Sequence, residues 1–206
     1  KISSNTIEIT CIPYPVDVLK TSKDATKKGI NIIILGDGYT AEEILPGNTF
    51  DQHIDNIIKI IFDTSPFKEY EDFFNIYVLR AASIDSGAST APNLIDKNTA
   101  YSSSFYGYPN IQRALVVNDT EKVQAHLRIV KKKYSEQIND LRQVALYQPN
   151  DINIMLVNTT IHGGTGGGLA ILSGGLGYHS GFIAVHEIGH SFGGLGDEYV
   201  DEEALK

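Results

Sequence analysis

The sequence predicts an α/β fold with a mixed, largely parallel sheet. Runs rich in isoleucine and valine recur at residues 30–35, 73–83 and 151–158, which is typical of buried strands. Helical apolar spacing occupies the stretches between them, at residues 41–64 and 121–146. Strands that alternate with helices favour parallel pairing, because each helix carries the chain back across the sheet.

The first 28 residues are interpreted as a strand and a polar connector, consistent with the end of a preceding domain. Residues 7–12 alternate between apolar and polar side chains, and a proline-rich break and a polar stretch follow them. We expect residues 29–206 to form one domain, which the length of the chain permits. The chain ends at Lys206, soon after its most distinctive motif, which is consistent with a truncated domain.

The first strand is expected to lead directly into a helix. A glycine-rich turn at residues 36–38 closes the strand. Thr40 is predicted to cap the helix, because the acids Glu42 and Glu43 follow it at positions that favour a helix N-terminus. The helix is predicted to end before the Ser65-Pro66 pair.

The middle of the chain predicts one long connection, one further strand and one long helix. Residues 83–110 are rich in Ser, Gly, Asn and Tyr and are interpreted as an irregular connection, which is uncommon unless functional. Residues 113–119 predict a further strand. The long helix at residues 121–146 carries three lysines at 131–133, interpreted as a solvated helix face.

Composition excludes several classes of protein and of site. The formal net charge of −8 argues against a nucleic-acid partner, which needs clustered lysine and arginine to displace counterions. Cys11 is the only cysteine, so an intramolecular disulfide and a thiolate zinc cluster are excluded. A metal site must therefore use His, Asp or Glu. No stretch approaches the roughly 20 apolar residues of a membrane-spanning helix.

The segment AVHEIGHSFGGLGDEY at residues 184–199 has the pattern of a metal site. On a helix, His186 and His190 lie on one face, where two nitrogens can share one cation. Zinc prefers histidine nitrogen, and catalytic zinc keeps three protein ligands and one position for water. Glu187 can reach that water as general base, since zinc lowers the pKa of water from about 16 to about 7. The motif predicts hydrolysis of a polarised carbonyl, most often a peptide bond.

Two other interpretations of these histidines stay open. They could be core histidines satisfied by hydrogen bonds, or they could hold a purely structural zinc, which is normally closed by four protein ligands.

The glycines of the motif also carry predictions. Gly189 lies inside the helix at a cost of about 1 kcal/mol relative to alanine, which suggests that space is needed there. Gly193 and Gly194 are predicted to let the chain leave the helix in a left-handed turn.

The motif and three other segments together resemble one family. The segments LGDGYT (35–40), FFNIYVLRAASIDSGAS (73–89) and NTAYSSSFY (98–106), with HEIGHSFGGLGDEY, are similar to the IgA-specific metallopeptidase family, secreted bacterial zinc endopeptidases related to metzincins. The resemblance covers residues 29–200. It implies a three-layer, metzincin-like catalytic domain with an active-site helix, one Zn²⁺ per chain, a protein or peptide substrate, and a secreted or cell-surface location.

The resemblance also implies roles for individual residues. It implies zinc on His186 and His190, Glu187 as catalytic acid/base, and a third ligand from the Asp197–Glu198 pair. We predict Asp197 as the ligand and keep Glu198 as the alternative, because adjacent side chains of an extended return point in opposite directions. Asp197 also lies closer to the metzincin ligand position.

Two features depart from the metzincin pattern. That pattern, His-Glu-x-x-His-x-x-Gly-x-x-ligand, matches through Gly193, but Gly196 stands at its last position. The only methionine, Met155, precedes the motif, whereas the methionine turn of metzincins follows it.

By analogy with metzincins, extended substrate pairs with an edge strand above the active-site helix. A short strand flanked by glycines is predicted for that role. Its substrate-binding residues are Leu169, Ala170, Ile171, Leu172, Ser173 and Gly174. His162 and His179, near this segment, are interpreted as ordinary loop residues, with a position in the cleft as the alternative.

The sequence thus predicts a zinc-dependent endopeptidase acting on extracellular protein. Host immunoglobulin A is implied by the resemblance alone, and mucin or other glycoproteins stay open. The alternative is a non-catalytic surface-binding module that retains the zinc site.

Overall fold

Four parallel strands form the centre of a six-stranded mixed sheet. The computed structural model describes residues 15–23, 29–90, 95–106, 111–138 and 151–197. The strands of this sheet are β1 (Val16–Lys20), β2 (Ile30–Asp37), β3 (Phe74–Leu79), β6 (Ile152–Val157), β7 (Gly164–Thr165) and β8 (Ala170–Ser173). Their order is β1-β3-β2-β6-β8-β7, in which β3, β2, β6 and β8 are parallel and the two edge strands are antiparallel to their neighbours. The predicted α/β fold with a largely parallel sheet is confirmed.

Helices cover both faces of the sheet. They are α1 (Thr49–Asp63), α2 (Thr120–Ile138) and α3 (Tyr178–Ser191). Side chains of β2 alternate between the two faces, so Ile32 and Ile34 share a core with α1 and α3, whereas Ile33 and Leu35 share a core with α2. Because both faces are buried, β2 is apolar almost throughout its length.

The helix predicted to begin at Thr40 begins nine residues later, at Thr49. The capping chemistry is present, since the Thr40 amide donates to the Glu43 carboxylate at 2.8 Å and the Ile44 amide donates to the Thr40 carbonyl at 3.0 Å. These hydrogen bonds at Thr40 close only one turn. Pro46 has no amide hydrogen, and Gly47 has a φ of +85°, so the helix cannot propagate through them.

Asp37 orders the described part of the connection at residues 83–110. The carboxylate is fully buried, and it accepts hydrogen bonds from the Thr99 hydroxyl at 2.9 Å and from the amides of Tyr101 and Ser103 at 3.0 and 2.9 Å. The segment is irregular, as predicted, and it fills the carboxyl end of β2 with its own chain. This end of the sheet therefore holds protein where α/β proteins often hold a ligand.

The strand predicted at residues 113–119 is short and lies outside the main sheet. Only Val116–Val117 forms a strand, β5, which pairs antiparallel with β4 (Ser103–Ser104). The position beside β3 at the edge of the main sheet is taken by β1 (Val16–Lys20), which comes from the segment interpreted as a connector.

Lys131 does not lie on a solvated face, so that interpretation is wrong for one of the three lysines. It is 8% exposed, and its ammonium lies 3.0 Å from the Asp151 carboxylate, which is also buried. Asp151 also accepts a hydrogen bond from the Asn31 amide group at 2.8 Å. Lys132 and Lys133 are exposed, as predicted. Burial of Lys131 is tolerated because its charge has a partner.

The predicted edge position of residues 169–174 is wrong. β8 pairs with β6 on one side and with β7 on the other, and Ala170–Ser173 are buried. β7 folds back antiparallel along β8 and forms the edge itself. The backbone hydrogen-bonding groups of β8 are therefore shared with neighbouring strands, and at this end of the sheet a substrate strand could pair only with β7.

Several predictions fall outside the described residues. They are the strand at 7–12, the part of the long helix beyond residue 138, and Glu198. Within the described residues, no helix is long and apolar enough to cross a membrane.

Candidate metal centre

Helix α3 carries both histidines of the motif one turn apart. Their rings lie 4.6 Å apart between centroids, and the two Nε2 atoms are 3.1 Å apart. His186 has a side chain 46% exposed, whereas that of His190 is 22% exposed. The pair therefore opens to solvent on one side, and neither histidine is buried in the core as one of the alternative interpretations required.

Asp197 returns to the histidines after the helix has ended. Its Oδ1 atom lies 3.2 Å from the Nε2 atom of His186 and 3.2 Å from that of His190. Three potential donor atoms thus converge from α3 and from the chain that follows it. Among the described residues, no fourth His, Cys, Asp or Glu joins this group.

A left-handed turn brings Asp197 back. The helix ends at Ser191, the chain then turns at Gly194 with a φ of +63°, and the Leu195 amide donates to the Gly189 carbonyl at 3.0 Å. The predicted left-handed exit is confirmed at Gly194. At Gly193 the constraint is space, since a Cβ atom there would lie 2.7 Å from the Gly189 carbonyl oxygen.

The backbone of this turn also orients His190. The Nδ1–H of His190 donates to the Leu195 carbonyl at 2.7 Å, and this hydrogen bond raises the pKa of His190. Because a carbonyl only accepts, the proton of the neutral ring is on Nδ1 and the Nε2 lone pair is free to bind a metal. This arrangement is common for histidines that ligate metals.

The spacing of the three donors fits zinc. In a tetrahedral site with bonds of about 2.0–2.1 Å, donor atoms lie about 3.3 Å from one another. The three observed separations are 3.1, 3.2 and 3.2 Å. Two imidazole nitrogens and one carboxylate oxygen are also ligands that zinc accepts, with a fourth position left for water.

Glu187 lies beside the donors but is far more buried. It is 6% exposed, and burial raises the pKa of its carboxyl to about 7, with the neighbouring Asp197 acting in the same direction. His190 and Arg113 act against this shift by favouring the carboxylate. A carboxyl with a pKa near neutrality can both accept and return a proton.

A cleft of about 320 Å³ opens next to Glu187. Its lining combines the apolar floor of Phe182 and Ile183 with the basic groups Arg113 and His162. His162 thus lies in the cleft and is not an ordinary loop residue. His179 lies in the exposed first turn of α3, outside the cleft lining.

Sequence reasoning missed Arg113 and Phe182 as cleft residues. Phe182 is 59% exposed although it lies in an apolar stretch, so helical periodicity alone could have marked it, four residues before His186. No sequence signal marks Arg113. Its position depends on the approach of its segment to β7, where the Thr165 hydroxyl donates to the Leu115 carbonyl at 2.7 Å.

The space inferred at Gly189 is not required. A Cβ atom there would meet only the Leu195 side chain, at 3.7 Å, which is ordinary van der Waals contact. The need for glycine lies elsewhere in this helix, at Gly181, where a Cβ atom would lie 2.4 Å from the Cβ of Ile60 in α1.

Comparison with known families places most of this chain in one of them. The model of the family described as IgA peptidase M64 matches residues 16–205, which is most of the sequence. No curated protein matches the chain.

Proposed function

The chain belongs to the IgA peptidase M64 family, and from this premise we propose that it is a zinc-dependent endopeptidase. Family membership implies a hydrolase, a metal and a protein substrate. The observation that carries the finer proposal is the convergence of His186, His190 and Asp197 beside the buried carboxyl of Glu187. A metzincin-like arrangement, with the active-site helix beneath an antiparallel edge strand, is part of this proposal.

The residues of the site have separate chemical roles. His186, His190 and Asp197 would hold Zn²⁺, which supplies a Lewis acid that polarises a carbonyl and acidifies water. Glu187 accepts the proton of the attacking water and returns it to the leaving amine. Its burial raises its pKa to about 7, close to the value that suits a group which both takes and returns a proton near neutral pH.

We propose that extended substrate pairs with the outer edge of β7. This edge replaces residues 169–174 in the role first assigned to them. Gly164 faces α3 directly, because a Cβ atom there would lie 2.5 Å from a carboxylate oxygen of Glu187. A peptide added beside β7 would therefore run past the general base, and one of its side chains would enter the cleft lined by Phe182 and Arg113.

The test is Glu187→Gln, which keeps the size of the side chain and removes its ability to take a proton. Zinc content should stay at about one per chain, while hydrolysis of an unstructured protein falls by at least about 10²-fold to 10⁴-fold. Wild-type activity should disappear with a chelator and return with zinc. Turnover of the variant near the wild-type rate would assign the base elsewhere.

The same experiment addresses the alternative of a binding module. A wild-type protein that holds zinc and cleaves no unstructured protein would support that alternative against the peptidase. The matched control is His186→Ala, in which both zinc content and turnover should fall.

We propose that the substrate is extracellular and that the protein is secreted or displayed on a bacterial surface. The support is family membership, since immunoglobulin A is named in the family description. Fractionation of a producing culture tests the location, and recovery from the cytosol alone would contradict it. A survey of host proteins cleaved by wild type and left intact by Glu187→Gln would identify the substrate, with immunoglobulin A, mucin and other glycoproteins as candidates.

A further inference from the structure

We propose that Gly164 and Gly166 are positioning residues, which let the edge strand lie directly on the general base and on one metal-binding histidine. The proposal rests on the proposed function. It concerns two glycines of a segment in which five of the six residues from 163 to 168 are glycine.

Both glycines contact Glu187, and Gly166 also contacts His190. A Cβ atom on Gly164 would lie 2.5 Å from Oε1 of Glu187. A Cβ atom on Gly166 would lie 2.5 Å from Cβ of His190 and 3.1 Å from Oε2 of Glu187. Real Cβ atoms essentially never approach a heavy atom below about 3.0 Å. A side chain at either position would therefore displace its neighbour on α3 or lift the strand.

Close approach, and not backbone conformation, requires glycine at these two positions. Neither Gly164 nor Gly166 has a φ in the left-handed region, whereas the adjacent Gly167 has a φ of +145°. Gly168 also lacks a left-handed φ, and a Cβ atom there would meet no heavy atom within 4 Å. The segment thus contains its own control position.

The contacts restrict a long, flexible side chain at the point where its position matters. Glu187 has three rotatable side-chain bonds, and its carboxyl needs a fixed position for proton transfer. Gly164 closes the Oε1 side of this carboxyl, and Gly166 closes the Oε2 side. A Cβ atom on Gly166 would also lie 3.0 Å from Cδ2 of the His190 ring.

Alanine substitutions test how the two glycines position the Glu187 base and the His190 ligand. Gly164→Ala should lower kcat by about tenfold to 10²-fold with zinc affinity nearly unchanged, because a Cβ atom there meets the base and no metal ligand. Gly166→Ala should lower zinc affinity by about tenfold to 10²-fold and should also lower kcat, because a Cβ atom there meets the His190 ligand and the base. Gly168→Ala should match wild type in both. Wild-type kcat in Gly164→Ala, or an equal loss in Gly168→Ala, would overturn the proposal.

A second measurement tests the contact without activity. Glu187→Asp shortens the side chain by one methylene, so Gly164→Ala should destabilise the chelator-treated protein less in that background than in wild type. Equal destabilisation in both backgrounds would overturn the proposal. If Gly164→Ala does not fold alone, its recovery with Glu187→Asp supports the contact and its failure to recover contradicts it.

These experiments separate the positioning role of the two glycines from the peptidase assignment. A wild-type protein that cleaves nothing would contradict the peptidase assignment, while the coupling between residues 164 and 187 and the zinc affinity of Gly166→Ala still decide the positioning role.

Discussion

At the scale of single residues, Leu195 and Asp197 both contact the histidines from the short segment that follows α3. The Leu195 carbonyl orients His190, and Asp197 brings a carboxylate to both histidines. The orientation of His190 and the position of Asp197 therefore depend on the same turn after α3. This makes Asp197 the residue whose removal most directly tests the predicted ligand set.

Asp197→Ala should lower zinc affinity by more than about 100-fold, because loss of a ligand exceeds the loss expected for a residue that only supports one. His186→Ala and His190→Ala serve as benchmarks, and competition with a chelating dye measures all three. Glu198→Ala is the matched control and should cost less. An equal or larger loss in Glu198→Ala would assign the third ligand to Glu198.

The buried ion pair of Lys131 and Asp151 gives a second residue-scale prediction. Lys131→Met should destabilise the fold by about 3–5 kcal/mol, because it leaves the Asp151 carboxylate buried without its cation. The double variant Lys131→Met/Asp151→Leu should recover most of that stability, since both charges are gone. Denaturant unfolding measures both, and a double variant less stable than the single one would show that the pair contributes more than mutual neutralisation.

At the scale of elements, α3 is held from two sides. It packs on α1 through Gly181, and its other side lies under β7 through Gly164 and Gly166. The helix that carries His186 and His190 therefore has little freedom to shift relative to the sheet. Its last turn is different, because Gly189 and the residues after it are only partly buried or exposed.

Two glycine-to-alanine changes in α3 should have opposite effects. Gly189→Ala should stabilise the protein by up to about 1 kcal/mol, since alanine is the better helix former and the space is available. Gly181→Ala should destabilise it by about 1–3 kcal/mol, because its Cβ would overlap Ile60. Thermal unfolding measures both. Destabilisation by Gly189→Ala would mean that the last turn needs glycine for a reason other than space.

At the scale of the whole molecule, the proposed metal would connect α3 to the segment that follows it, through Asp197. Binding of zinc to the folded state alone stabilises that state, by about 2.7 kcal/mol when free zinc is 100 times its Kd. For a chain of this length that corresponds to a rise in Tm of roughly 5–10 °C. Calorimetry with and without a chelator measures the shift. It should vanish in His186→Ala, and a shift that survives there would place the bound zinc elsewhere.

The sequence by itself determined the local features of this protein. The α/β class follows from apolar runs and helical spacing, which each segment carries in its own residues. The shared face of His186 and His190 follows from the repeat of an α-helix, and the exit at Gly194 follows from the freedom of glycine at positive φ. These features depend on residues close in sequence, so periodicity and turn chemistry were sufficient.

Only the tertiary structure decided which segments meet. β8 is internal because β7 pairs beside it, and Lys131 is buried because Asp151 lies opposite. Helix α1 begins at Thr49 although Thr40 has the local features of a cap. A Cβ atom would overlap α3 at positions 164 and 166 and would fit at 189, because separate elements meet only at the first two. Such contacts join residues far apart in the chain, and their free energies depend on partners that no local pattern specifies.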